Sequence, residues 1–194
     1  MNAQLQPTGS AYFIAKETEK PENHTLSVLV ENTPGVLTRV SSLFARRAFN
    51  IESLAVGPTE RPDRSCITIR VDCSDVSIDQ VVKQLYKLIN VLKVNQMTTA
   101  DAIERELMLV KVTASPDKRG ELIHLAEVYG ARVSDVGAQA LVFEIVEHPD
   151  KLASFEELLR PYGIKETIRT GRIAMRRALG ERRDRDAGRM RVLA

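Results

Sequence analysis

The sequence predicts an α+β protein that contains the same βαββαβ unit twice, in tandem. Short runs that alternate apolar and polar residues, typical of half-buried strands, interleave with apolar stripes at helical spacing. The order strand, helix, strand, strand, helix, strand occurs before residue 98 and again after residue 107. Polar, turn-forming residues separate the two occurrences. This order is the ferredoxin-like arrangement, so two small domains are expected rather than one large domain.

The first unit is predicted at residues 23–98, and it begins with a strand at residues 24–30. A helix follows, with Thr33 at the N-cap position, Pro34 at the first helical position and Gly35 inside the first turn. One apolar stripe along this helix predicts its buried face: Val36, Leu37, Val40, Leu43 and Phe44.

A hairpin and a second helix complete the first unit. Strands are predicted at residues 51–56 and 65–71, because apolar residues alternate in both and a stretch rich in proline and glycine connects them. Ser77 or Asp75 can cap the second helix, whose stripe runs from Val81 to Ile89. The last strand of the unit is predicted at residues 91–94.

The second unit is predicted at residues 107–171 and repeats these elements in the same order. A strand at residues 108–112 precedes a helix that starts with Ser115 as N-cap and Pro116 as its first residue. Strands follow at residues 132–136 and 141–145, then a helix at 150–160 and a strand at 164–169. Asp117, in the first turn of the first helix of this unit, lies near where a ligand carboxylate would lie, so the second copy is expected to bind no ligand or to bind one differently.

Three segments are predicted to lie outside the two units. Residues 1–22 are polar and mixed and are expected to form a flexible leader, and residues 99–106 a polar linker. Residues 172–194 contain eight arginines and three acidic residues, and their apolar residues are too few for a core, so an arginine-rich tail is expected.

Composition sets broad limits on the function. A net charge of +2 is too small to indicate a polyanionic partner for the whole chain, and 43% hydrophobic residues can form ordinary cores. Cys66 and Cys73 have an odd separation that disfavours a disulfide between them. No apolar run approaches membrane-spanning length. A soluble, cytoplasmic protein without membrane contact is therefore expected.

The start of the first helix has the chemistry of a site for a free amino acid. The exposed N–H groups of a helix N-terminus favour a carboxylate, and Gly35 lets a ligand approach them closely. The amide oxygens of Asn32 and Asn50 can accept hydrogen bonds from an ammonium group. The alternative is structural, because glycine and asparagine are also common turn residues.

The run ENTPGVLTRVSSLFARRAFNIESLAVGPTE at residues 31–60 resembles the ACT domain of the acetolactate synthase small-subunit family. The resemblance extends over about residues 24–172. It implies an effector site between two ACT domains, with valine as the effector, at positions Asn32, Gly35, Val36, Leu37 and Asn50. It also implies a homodimer through the ACT domains and a catalytic large subunit as partner. Thiamine diphosphate, Mg²⁺ and FAD are expected on that partner, and no cofactor or metal on this chain.

Two other functional classes have weaker support in the sequence. The RNA-recognition motif has the same element order, but its stacking aromatics are missing here: Thr25, Ser27, Leu29, Cys66, Thr68 and Arg70 occupy the corresponding strand face. No nucleic-acid partner is therefore expected. The three histidines are scattered and no known catalytic or nucleotide-binding motif occurs, so no catalytic residue is predicted. A free-standing ACT sensor that regulates another enzyme or transcription stays the alternative.

Overall fold

The computed structural model describes residues 23–73, 77–98 and 100–178. The predicted leader at residues 1–22, and the predicted tail from residue 179 onward, lie outside these residues. The first unit contains β1 (Asn23–Glu31), α1 (Val36–Arg46), β2 (Asn50–Pro58), β3 (Arg64–Asp72), α2 (Ile78–Leu85) and β4 (Val91–Met97). The second contains β5 (Ala102–Thr113), α3 (Arg119–Tyr129), β6 (Arg132–Val136), β7 (Ala140–Glu147), α4 (Pro149–Leu159), β8 (Ile164–Arg169) and β9 (Ile173–Arg176).

Two antiparallel sheets of matching order confirm the predicted fold class. The first sheet has the order β2-β3-β1-β4, and the second has the equivalent order β6-β7-β5-β8. Each sheet buries one face against the two helices of its own unit. Alternating residues of the central strands fill the two cores, among them Leu26, Val28, Val30, Ile67, Ile69 and Val71 in the first and Met108, Val110, Val112, Leu141, Phe143 and Ile145 in the second.

Two of the predicted helix starts are wrong by a few residues. Helix α1 begins at Val36 and its N-cap is Gly35, not Thr33. Gly35 has φ +83°, a left-handed conformation that a right-handed helix cannot contain, so the helix starts after it. Helix α3 likewise begins at Arg119 rather than at Pro116, because the amide of Lys118 bonds to the carbonyl of Ser115 in a preceding turn.

The predicted linker at residues 99–106 is largely a strand. Strand β5 begins at Ala102, and its first four residues pair with β9, while the rest pairs with β7 and β8. The predicted tail therefore also contributes a strand, β9. Charged side chains in these segments suggest solvent exposure, but Glu104 and Glu106 are buried and bond to Arg172 and Arg169 respectively.

The two-stranded ribbon formed by residues 102–105 and 173–176 joins the two units. Oγ1 of Thr25 in β1 donates to Oε1 of Glu104 at 2.9 Å, and the amide of Arg172 donates to Oγ of Ser53 at 2.9 Å. A Cβ atom on Gly171 would lie 3.0 Å from the carbonyl oxygen of Leu54, so the chain passes very close to β2. The second unit is thus attached to the outer face of the first sheet.

This attachment covers part of the strand face that an RNA-recognition motif would use. Thr25, Ser27 and Thr68 are only 2%, 8% and 5% exposed, although their side chains point away from the helices. None of the helices in residues 23–73, 77–98 and 100–178 is long and apolar enough to cross a membrane.

Candidate functional site

The first turn of α1 has an open N-terminus. Gly35 caps it in the left-handed conformation without a side chain, and the first turn contains no acidic residue. The amides of Leu37 and Thr38 have no backbone acceptor within the described residues. No atom lies within 4 Å of the position where a Cβ on Gly35 would be. Free N–H donors and the positive end of the helix dipole therefore face open space, which suits a carboxylate.

Asn32 is held next to this turn by the loop between β2 and β3. Its amide donates to the carbonyl of Asp63 at 2.8 Å, and its side-chain Nδ2 donates to the carbonyl of Pro62 at 3.0 Å. Because Nδ2 is used in this way, the orientation of the carboxamide is fixed. Its Oδ1 is then available as an acceptor for a ligand ammonium group.

Charged side chains pair with one another in the loop that holds Asn32. Partial desolvation acts to raise the pKa of the Asp63 carboxyl, but the hydrogen bond from Arg61 and the positive charges of Arg61 and Arg64 outweigh it. The pKa of Asp63 therefore lies below its usual value, and the residue stays ionised at neutral pH. The ion pairs with Arg61 and Arg64 are exposed, so each contributes little to stability, and the two backbone carbonyls that bond to Asn32 are the main contacts of the loop with it.

The two apolar residues predicted for the site differ in their surroundings. Val36 is 5% exposed and belongs to the core of the first unit, so its side chain faces away from any ligand at the helix start. Leu37 is 43% exposed and points outward. Of the two side chains, that of Leu37 can contact a ligand or a second chain.

Asn50 does not lie near the other predicted site residues. It is the first residue of β2, where it pairs with Asp72, and Asp72 pairs in turn with Asn23 at the start of β1. Asn32 follows the other end of β1. At the roughly 3.3 Å rise per residue of a strand, about 30 Å separates the two asparagines. Within one chain, Asn32, Gly35 and Leu37 are together, and Asn50 is at the opposite end of the sheet.

Sequence reasoning missed the residues that position Asn32. The sequence predicts only a turn-rich connection at Pro62 and Asp63, whereas both contact Asn32 through their backbone carbonyls. Any residue type can supply such a carbonyl, so the residue types give no local signal for this role. The turn composition of the loop was the only available indication that it could fold back onto β1.

Comparisons with known families match both units. Residues 26–93 match a family model described as an AHAS small subunit-like ACT domain. Residues 105–178 match one described as the small subunit of acetolactate synthase. Together the two matches cover nearly all of the chain that the structure describes.

Individual relatives and a solved structure agree with these matches. A probable acetolactate synthase small subunit of Archaeoglobus fulgidus is 51% identical over 78% of this chain and 95% of its own length. The acetolactate synthase small subunit of Mycolicibacterium smegmatis is 47% identical over 79% of this chain and 91% of its own. The crystal structure of the acetolactate synthase small subunit from Thermotoga maritima superposes with a TM-score of 0.74, at 39% identity, over 80% of this chain and 97% of its own.

Proposed function

The chain belongs to the family of acetolactate synthase small subunits, and from this premise we propose that it activates a catalytic large subunit and makes it sensitive to valine or another branched-chain amino acid. The chain has no catalytic role of its own in this proposal. The large subunit holds thiamine diphosphate, Mg²⁺ and FAD and forms 2-acetolactate. We also propose a cytosolic location, where the subunit meets its partner and free amino acids.

The open N-terminus of α1 is the observation that carries the effector proposal. Free first-turn amides, an unobstructed Gly35 and the fixed carboxamide of Asn32 provide complementary contacts for both charged groups of an amino acid. The exposed side chain of Leu37 supplies an apolar contact for an aliphatic side chain.

The distance to Asn50 gives the proposal a specific form. A free amino acid cannot span about 30 Å, so Asn50 completes the site only if it comes from a second copy of the chain. A two-fold symmetric pair of first units achieves this twice, with the α1 start of each copy beside Asn50 of the other. Strand β2 is an edge strand and carries Asn50 at its end, so it is accessible to such a partner.

The effector acts in this proposal by favouring one arrangement of the assembly. A ligand shifts an equilibrium only through unequal affinity for two states, and a site divided between two chains has unequal affinity for an arrangement that closes it and one that opens it. Valine would therefore stabilise the arrangement that closes the site, and that arrangement is the one in which the catalytic subunit is inhibited.

The test measures acetolactate formation by the catalytic large subunit, supplied with its three cofactors, with and without this chain. We expect severalfold stimulation by the chain and its reversal as valine is added, and no acetolactate from the chain alone. Turnover by the isolated chain, or a mixture without stimulation or copurification, would contradict the assignment and favour a free-standing sensor.

A further inference from the structure

An apolar groove lies where the ribbon of residues 102–105 and 173–176 meets the outer face of the first sheet. Its volume is about 430 Å³. Strands β2 and β3 form one wall, and β5 and β9 form the other. Four large apolar side chains that line it are strongly exposed: Val56 at 49%, Ile103 at 42%, Ile173 at 58% and Met175 at 74%. Converging exposed apolar residues of this kind mark interaction sites.

The charge of the groove restricts its occupant. Arg105 is the one charged residue among the described residues that line it. One N–H group of its guanidinium donates to the carbonyl of Glu104 at 2.8 Å, which leaves further donors of the five for an incoming group. A segment that combines an apolar side chain with a carboxylate is complementary to this surface.

The walls of the groove come from both units. The β2–β3 wall belongs to the unit with the effector site, and the β5–β9 wall belongs to the other. The contacts of Thr25 with Glu104 and of Arg172 with Ser53 hold the two walls together. An occupant touches both walls at once, so any change in the placement of one unit against the other changes its binding.

We propose that this groove is the surface that docks the catalytic large subunit, through a segment of that subunit in which an apolar side chain lies beside a carboxylate. The inference rests on the proposed function, which requires such a partner. It places the partner at the junction of the two units, on the opposite face of the first sheet from α1 and its effector site.

Two substitutions test the proposal, and each has a matched control. Met175→Asp puts a charge into the apolar wall, and Ile89→Asp makes the same kind of change at a side chain that is 83% exposed and outside the groove. Arg105→Glu reverses the groove charge, and Arg132→Glu reverses an exposed charge on edge strand β6. Because Met175 is so exposed, the folded state should tolerate its substitution, which thermal unfolding checks.

The measurement is the concentration of the chain that gives half-maximal stimulation of acetolactate formation, with valine binding followed by calorimetry. We expect Met175→Asp and Arg105→Glu to raise that concentration by about tenfold or more, as at the centre of an interface. Both controls should match the parent, and valine affinity should be unchanged in all four variants.

The results distinguish a failure of the docking proposal from a failure of the proposed function. If the parent stimulates the catalytic subunit and Met175→Asp does so at the same concentration, the groove is not the docking surface. If Met175→Asp instead lowers the sedimenting mass of the chain alone, the occupant is a second copy and the proposal is overturned. A parent that neither stimulates nor copurifies contradicts the proposed function itself, and the docking proposal with it.

Discussion

Gly35 has two separable properties, its backbone conformation and its position at a helix N-terminus. We predict that Gly35→Asp destabilises the chain and abolishes sensitivity to valine. A non-glycine residue at φ +83° costs roughly 1–2 kcal/mol, and the new carboxylate occupies the place proposed for that of the ligand. Stimulation of the catalytic subunit should persist, because only the inhibited arrangement depends on the ligand.

Gly130 provides the matched control for this prediction. It has φ +74° at the C-terminal end of α3, and no atom lies within 4 Å of the position that a Cβ would take. Gly130→Asp should lose at least as much stability in thermal unfolding, because its carboxylate lies at the negative end of the α3 dipole, and should keep normal inhibition by valine. Equal resistance to valine in both variants would show that strain, rather than the site at α1, causes the loss of inhibition.

Glu104 is a buried carboxylate at the junction of the two units. Its carboxylate is buried and accepts hydrogen bonds from Thr25 and from Arg172, at 2.9 Å each. Glu104→Ala leaves the Arg172 guanidinium largely buried without that carboxylate, so we predict a loss of about 3 kcal/mol in the free energy of unfolding. Urea unfolding followed by circular dichroism measures it.

The exposed ion pair between Lys111 and Glu166 provides the control for the Glu104→Ala prediction. These side chains are 43% and 53% exposed, so solvent screens their interaction. Glu166→Ala should cost less than about 1 kcal/mol. Similar losses for Glu104→Ala and Glu166→Ala would mean that the junction contributes no more than a surface ion pair.

At the scale of elements, the docking proposal gives strand β9 a role that can be measured. We predict that truncation after Arg172, which removes β9, weakens stimulation of the catalytic subunit, because Ile103 and Arg105 lose their cross-strand partners Met175 and Ile173. Truncation after Ala178 keeps β9 and should stimulate as the parent does. The measurement is the concentration of each truncated chain that gives half-maximal stimulation of the catalytic subunit. Equal concentrations for the two truncated chains would exclude a role for β9.

The elements also show how far the sequence determines the fold. Strand β8 has the ends that its pattern predicts, and Leu141, Phe143 and Ile145 are buried as their alternation indicates. Local patterns are sufficient for such elements. Glu104 could not be placed in this way, because its partners Thr25 and Arg172 are 79 and 68 residues away. The sequence places Asn32 and Gly35 close together in the chain, but the distance to Asn50 follows only from strand register.

At the scale of the whole molecule, the proposed two-chain site permits a complementation experiment. Asn50→Ala removes one acceptor for the ligand ammonium group. The loss of that hydrogen bond costs roughly 1.5–3 kcal/mol of binding free energy, or about one to two decades in valine affinity. A mixed dimer of Gly35→Asp and Asn50→Ala chains has one site with both defects and one with neither. We therefore predict that the mixture recovers parental valine affinity at about half the stoichiometry.

Calorimetry on chains that carry different affinity tags, mixed and isolated as heterodimers, measures this recovery. Each variant alone should show the defect in both of its sites. A heterodimer that has no site of parental valine affinity would show that Gly35 and Asn50 do not contribute to one shared site. Sedimentation that shows only monomers in the presence of valine would also exclude a site shared by two chains.

The continuous strand β5 has a consequence for the exchange of single domains between proteins of this family. Its first four residues pair with β9 beside the first unit, and the remainder lies in the sheet of the second. A graft joined anywhere in residues 102–113 would cut through a single strand. The first unit keeps its contacts with the ribbon only if residues 102–105 and 171–176 remain in place, so no single cut in the sequence separates it from the second unit.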